Sequence, residues 1–215
     1  FGIGRFRATF PKSFGLTNGR LNITDTDNFL SDPINLMKLF QVSLESQLLI
    51  HPNALQLVAR NLELIDESFI KDVEANKIFL DLLLNYNNPE KALRHMNEVG
   101  LLGKFVPEFG RIVAMMQFNM YHSFTVDEHT IQAIRTLAEI ENRNLVEDLP
   151  IASNILSGDI NRRILYVSLL LHDLGKGLPE DHSIIGSQIA GKLSPRFGLK
   201  REESEIVVWL VRNHL

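Results

Sequence analysis

The stretch LLLHDLGKG, residues 169–177, decides how the rest of the chain is interpreted. An apolar run of helix-compatible length ends in an adjacent histidine and aspartate, His172 and Asp173, and a Gly-Lys-Gly turn follows. Burying a carboxylate at the end of an apolar helix is costly unless a cation or hydrogen bonds compensate it. A divalent metal ion is the simplest compensation, so further ligands are expected elsewhere in the chain.

Histidines concentrate in the same half of the chain as this pair, because five of the seven follow residue 121. Neighbouring residues of a helix diverge by about 100°, so His172 and Asp173 can share an ion only near the helix end. His129 must then reach them from another helix. Imidazole and carboxylate ligands suit Mn, Fe, Zn, Co or Ni, and a metal-bound water could attack phosphorus. The candidate metal ligands are His129, His172, Asp173, His182 and His214.

The other histidines are interpreted as structural. His51 and His95 are expected to be hydrogen-bonded packing residues, and His122 is expected to belong to a structural turn. His182 and His214 are ambiguous when each is taken alone, and they gain weight together because both lie at predicted helix ends after the His-Asp pair. The Met-rich residues 111–121 are interpreted as adaptable core packing rather than a cofactor site.

The composition narrows the class of protein. The 215 residues are 45% hydrophobic and 22% charged, with a net charge of −4 and no cysteine. This is an ordinary globular balance without a broad basic field, so nucleic acid is not an expected partner. No apolar run reaches the roughly 18 residues of a membrane span, and no signal-peptide layout is present, so a cytoplasmic location is expected. Phe1 and a final helix that ends at Leu215 suggest a piece of something longer.

Apolar residues at three- and four-residue spacings predict an all-α fold after an extended or irregular N-terminal stretch. Residues 142–158 are predicted to be a polar connection. A boundary near residues 110–122 divides the chain into a first region, 1–115, and a second region, 116–215, that holds the metal pattern. The predicted helices cover about 33–50, 53–65, 66–84, 90–99, 125 or 127 to 140, 159–173, 182–193 and 202–214.

A lone histidine followed by His-Asp on a later helix resembles the HD superfamily of metal-dependent phosphohydrolases, whose pattern ends in a distant aspartate. His129, His172 and Asp173 match the first three positions. The Gly-Lys after the pair and His182 resemble members with a two-metal site, and His214 stands where such members place another histidine.

Longer strings are similar to one subfamily, the bacterial bifunctional protein-PII uridylyltransferase/uridylyl-removing enzymes. The resemblance covers essentially the whole chain. It implies that 1–115 is the helical region after a nucleotidyltransferase domain, whose motif is absent here, and that 116–215 is an HD domain truncated at its C-terminal end. The last HD aspartate is expected shortly beyond Leu215. The strings are NEVGLLG (97–103), PEFGRIV (107–113), QFNMYH (117–122) and TVDEHT (125–130).

The resemblance implies a hydrolase that releases UMP from uridylylated PII and is stimulated by glutamine through C-terminal domains absent from this chain. Asp173 and Lys176 are the predicted catalytic residues, although Lys176 could be only a surface lysine in a turn. The implied cofactor is a divalent metal, Mn or Mg, with Fe, Zn, Co or Ni as alternatives. Two rival functions stay open: an HD hydrolase of free guanosine tetraphosphate or cyclic dinucleotides, and a catalytically silent docking scaffold.

Overall fold

A computed structural model describes residues 10–116 and 124–214 of the chain. Its first described elements are two antiparallel strands, β1 (Phe14–Thr17) and β2 (Arg20–Ile23). The turn between them is Asn18-Gly19, and both residues have positive φ, of 50° and 74°. This is the conformation that two-residue hairpin turns require. Residues 14–23 of the stretch predicted to be extended or irregular therefore form a hairpin.

Short helices follow the hairpin. Proline begins three of them, because its fixed φ and missing N–H suit the first helical position. The helices are α1 (Thr26–Leu30), α2 (Ile34–Ser46), α3 (Pro52–Arg60), α4 (Glu67–Lys71), α5 (Val73–Leu84), α6 (Pro89–Glu98), α7 (Leu101–Phe105) and α8 (Pro107–Gly110), with a 3-10 turn at Leu62–Leu64.

The single helix predicted over residues 66–84 was wrong. Asp72 ends α4 and begins α5, and its Oδ1 accepts a hydrogen bond of 2.8 Å from the backbone N–H of Ala75. An aspartate at this position caps the next helix rather than continuing the previous one.

Five helices follow in the described part of the second half of the chain. The predicted polar connection contains a helix, α10. The helix predicted from residue 159 begins instead at Arg162, because the Asn161 side chain caps it by accepting from the N–H groups of Arg163 and Ile164. The helices are α9 (Val126–Glu141), α10 (Pro150–Leu156), α11 (Arg162–Leu171), α12 (His182–Arg196) and α13 (Arg201–Arg212).

One hydrophobic cluster runs through both halves of the chain. At its centre the Phe79 ring lies 5.3 Å from the Phe105 ring and 5.2 Å from the Phe197 ring, so α5, α7 and the residue after α12 share a core. The predicted all-α class is confirmed, with the hairpin as an addition. Within the described residues, no helix has the length and apolar character needed to cross a membrane. The domain boundary between residues 115 and 116 stays a prediction.

Candidate metal centre

His129, His172 and Asp173 meet in space, although His129 lies on a different helix from the other two. Each offers one ligand atom, and the three atoms lie within 4.8 Å of one another. Oδ2 of Asp173 is 3.1 Å from Nε2 of His172 and 4.0 Å from Nε2 of His129. The Asp173 side chain is 1% exposed. The three side chains thus lie together, as the sequence predicted.

The end of α11 orients His172. This residue is the C-cap of α11, and its Nδ1 lies 2.6 Å from the backbone carbonyl of Leu169. Because a carbonyl oxygen can only accept, Nδ1 carries a proton and donates a hydrogen bond to Leu169, and this bond keeps Nε2 turned toward Asp173. Such a bond from the second ring nitrogen to a carbonyl is typical of metal-bound histidines.

His214 has the same arrangement at the end of α13. Its Nδ1 lies 2.6 Å from the carbonyl oxygen of Val211, and its Nε2 lies 3.6 Å from Oδ1 of Asp173. The His214 ring is 5.3 Å from that of His172 and 5.7 Å from that of His182. His182, at the start of α12, therefore adjoins the cluster through His214, one ring further from Asp173.

The remaining predicted positions lie apart from this cluster or outside the described residues. His51 caps α3, and His95 pairs with Glu98 at 3.1 Å on the surface of α6. Met115 packs against the core, as predicted, but Met116 is exposed, so the core-packing prediction was wrong for that residue. His122 and the other residues of the Met-rich stretch from 117 onward lie outside the described part of the chain.

The turn after Asp173 places Lys176 against the same carboxylate, with 2.7 Å between its Nζ and Oδ2. Gly175 allows α12 to approach, since a Cβ on this residue would lie 2.7 Å from the backbone nitrogen of Gly186. Gly177 has a φ of 78°, which favours glycine. Both glycines are therefore required for the turn that holds Lys176.

The Asp173 carboxylate is ionised in spite of its burial. Desolvation opposes ionisation, but the hydrogen bonds and charges of His172 and Lys176 outweigh it and hold the pKa of Asp173 well below its usual range. No described residue donates a hydrogen bond to its buried Oδ1. An orphaned carboxylate oxygen among imidazole nitrogens is a set of donor atoms that fits a divalent transition metal.

Two acidic residues that precede His129 contact the first half of the chain, and neither was singled out from the sequence. Asp127 is 6% exposed and accepts hydrogen bonds from Asn97 and from the backbone of Ala114, whereas Glu128 pairs with Arg94. In the sequence they resemble the ordinary acidic start of a helix. Their position next to a candidate ligand was the available signal.

Two protein families match separate parts of the chain. Residues 14–105 match the family described as uridylyltransferase GlnD third domain, and residues 126–215 match the HD domain family. These matches, together with the similar proteins below, confirm the resemblance inferred from the sequence strings. Residues 126–215, which contain the histidine and aspartate cluster, are thus similar to HD domains.

Three proteins similar to this chain carry the name bifunctional uridylyltransferase/uridylyl-removing enzyme. The protein of Cereibacter sphaeroides is 58% identical over 214 residues, which is 100% of this chain and 23% of the relative. That of Ruegeria pomeroyi is 57% identical over 99% of this chain and 24% of the relative. That of Novosphingobium aromaticivorans is 50% identical over 94% of this chain and 22% of the relative. The chain thus spans about a quarter of the length of these relatives.

Proposed function

We propose that this chain, as a segment similar to the bifunctional uridylyltransferase/uridylyl-removing enzymes, carries the metal-dependent phosphodiester hydrolase that releases UMP from uridylylated PII. The observation that supports this most strongly is the buried Asp173 carboxylate with the imidazoles of His129, His172 and His214 directed at it. These residues lie inside the stretch that matches the HD domain, and the names of the relatives include uridylyl removal.

His129, His172 and Asp173 would hold the ion, with His214 beside Oδ1 of Asp173. His182 would serve a second ion or contact phosphate. When bound, a divalent ion supplies a water of lowered pKa and polarises a phosphoryl oxygen. Mn or Mg is proposed first, with Fe, Zn, Co or Ni as alternatives.

The residues of the chain itself orient the ligands and balance charge. The backbone carbonyls that accept from His172 and His214 keep both Nε2 atoms directed at Asp173. Lys176 is partly buried at the same carboxylate. Its ammonium would neutralise the charge that develops on the phosphoryl oxygens when the bond between UMP and a tyrosine side chain of PII breaks.

The proposal includes PII as the protein substrate, and a cytoplasmic location. Glutamine would act as an effector through parts of the protein outside this chain. Nucleic acid and membranes are not among the proposed partners.

The test is Asp173→Asn in the longer protein that the relatives lead us to expect. We expect UMP release from uridylylated PII to fall by at least about a hundredfold, because the variant loses the charge that holds the ion. Helical content by circular dichroism should be unchanged. The matched control is Asp159→Asn, an exposed aspartate before α11, which should release UMP at the wild-type rate.

Retained UMP release in Asp173→Asn would remove this residue from the mechanism. Hydrolysis of guanosine tetraphosphate or a cyclic dinucleotide in place of uridylylated PII would favour the rival enzyme. Absence of all three activities, with the fold intact, would favour a scaffold.

A further inference from the structure

Two polar contacts join the first turn of α9 to the first half of the chain, immediately before His129. In the first, Arg94 of α6 forms a two-pronged ion pair with Glu128, with 2.7 Å from Nη1 to Oε2 and 2.9 Å from Nη2 to Oε1. Nε of Arg94 also contacts Glu90 at 2.6 Å. Such planar pairs fix direction as well as distance.

The second contact is buried. Asp127 accepts a hydrogen bond of 2.8 Å from Nδ2 of Asn97, also on α6, and one of 3.2 Å from the backbone N–H of Ala114. Ala114 has a φ of 57°, a conformation uncommon for a non-glycine residue, and its N–H points at the carboxylate. The Asp127 and Glu128 side chains thus fasten the helix turn that carries His129.

His129 differs from the other ligands in the helix that carries it and in its exposure. His172, Asp173 and His214 are attached to α11 and α13, and their side chains are between 1% and 19% exposed. The His129 side chain is 41% exposed and is the ligand that α9 contributes. The position of α9 therefore sets the distance from Nε2 of His129 to Asp173.

We propose that Arg94 and Asn97 are positioning residues for His129, so that α6 of the first half sets the metal affinity of the HD site. This inference rests on the metal site of the proposed function. A ligand must be held within about 0.5 Å of its working position, and the loss of an outer partner of a metal ligand typically costs 10- to 100-fold in affinity.

The chain contains a matched control at the opposite end of the same helix. Arg162 forms an equivalent two-pronged pair with Glu141, the last residue of α9, at 2.8 and 2.9 Å. Replacing either arginine removes one such pair from α9, but only the Arg94 pair lies next to His129. A purely structural role predicts similar losses in stability and no difference in metal binding.

The experiment compares Arg94→Met with Arg162→Met in this chain, by calorimetric titration with Mn²⁺ and by thermal unfolding. We expect Mn²⁺ to bind about tenfold more weakly to Arg94→Met, and with wild-type affinity to Arg162→Met. Asn97→Ala should resemble Arg94→Met. Arg94→Lys keeps the charge and should recover part of the affinity, which also covers the case in which the methionine variant fails to fold.

Equal Mn²⁺ affinity in Arg94→Met and Arg162→Met would overturn the proposal, as would a wild-type chain that binds no Mn²⁺. If Mn²⁺ binds as expected but the longer protein releases no UMP, the proposed function fails while the positioning role stands.

Discussion

Asp173 and Arg196 are two largely buried charged residues in the second half of the chain, and different chemical groups contact them. Arg196 donates to Oδ1 of Asn76 at 3.0 Å and to the carbonyl oxygen of Phe105 at 2.8 Å. Its guanidinium carbon lies 4.7 Å from the centre of the Phe105 ring and 5.0 Å from that of Phe197. These partners all belong to the shared core.

Asp173 contacts side chains that can bind a ligand, namely imidazoles and an ammonium group, and its Oδ1 accepts no hydrogen bond from the described residues. The contrast teaches that burial of a charge does not by itself mark a functional site. A charge satisfied by backbone, amide and aromatic groups holds helices together, whereas one facing titratable side chains and left partly unsatisfied is suited to bind an ion.

Both groups keep their charge near neutral pH. Desolvation lowers the pKa of Arg196 to about 10, although the Glu108 carboxylate acts in the opposite direction. That value is still well above 7. The pKa of Asp173 lies below its usual range for the reasons given above. Variants at the two places should therefore separate metal binding from stability.

Gly175→Ala should have the largest effect, because it should lower both the stability of the protein and the affinity of the Asp173 site for Mn²⁺. The new Cβ has no space against the backbone of α12, and such overpacking costs about 3 kcal/mol. The turn that carries Lys176 must shift, so Mn²⁺ affinity by calorimetry should fall as well. In the control, Gly191→Ala, the nearest side-chain atom is 3.5 Å away. That variant should bind Mn²⁺ normally, and equal stability of the two alanine variants would contradict the prediction.

Arg196→Met tests whether the buried Arg196 stabilises the fold without affecting metal binding. It removes two hydrogen bonds and the stacking on two phenylalanine rings, and we expect a loss of about 2 kcal/mol in the free energy of unfolding by urea. The Mn²⁺ affinity should not change. Arg201→Met, which removes an exposed pair with Glu205, is the control and should leave both quantities unchanged. Weakened Mn²⁺ binding in Arg196→Met would show that the two charged groups are coupled.

The smallest effect on stability is expected for Glu128, a partly exposed carboxylate paired with Arg94. The Arg94 hydrogen bond lowers its pKa from an ordinary value of 4.5. The contribution of the Glu128 carboxylate to the free energy of unfolding is therefore complete above the pKa of the unfolded state. It is lost as the pH falls through the lower pKa of the folded state. Glu128→Gln should cost up to about 1 kcal/mol in unfolding free energy at pH 7. The difference from wild type should shrink in acid, and a difference that does not vary with pH would contradict the ion-pair explanation.

The sequence predicted the helical class and the meeting of His129, His172 and Asp173 because these follow from local periodicity and from the cost of a buried carboxylate. It did not predict the link from Asn97 to Asp127, since the partners are 30 residues apart and such pairing depends on tertiary packing. Asp72 was placed inside a helix because the apolar period continues through it, while its capping bond depends on the local backbone. In both cases the spacing of apolar residues is visible in the sequence, whereas the hydrogen-bond partners of polar residues depend on the folded backbone.

The Nδ1 atom of His172 donates to the carbonyl of Leu169, and that of His214 donates to the carbonyl of Val211, on the side of each ring away from Asp173. The polypeptide therefore sets the angle of these rings without any ion, so different divalent ions would meet the same ring positions. Which ion occupies the protein in a cell would then follow its supply and its preference for nitrogen over oxygen.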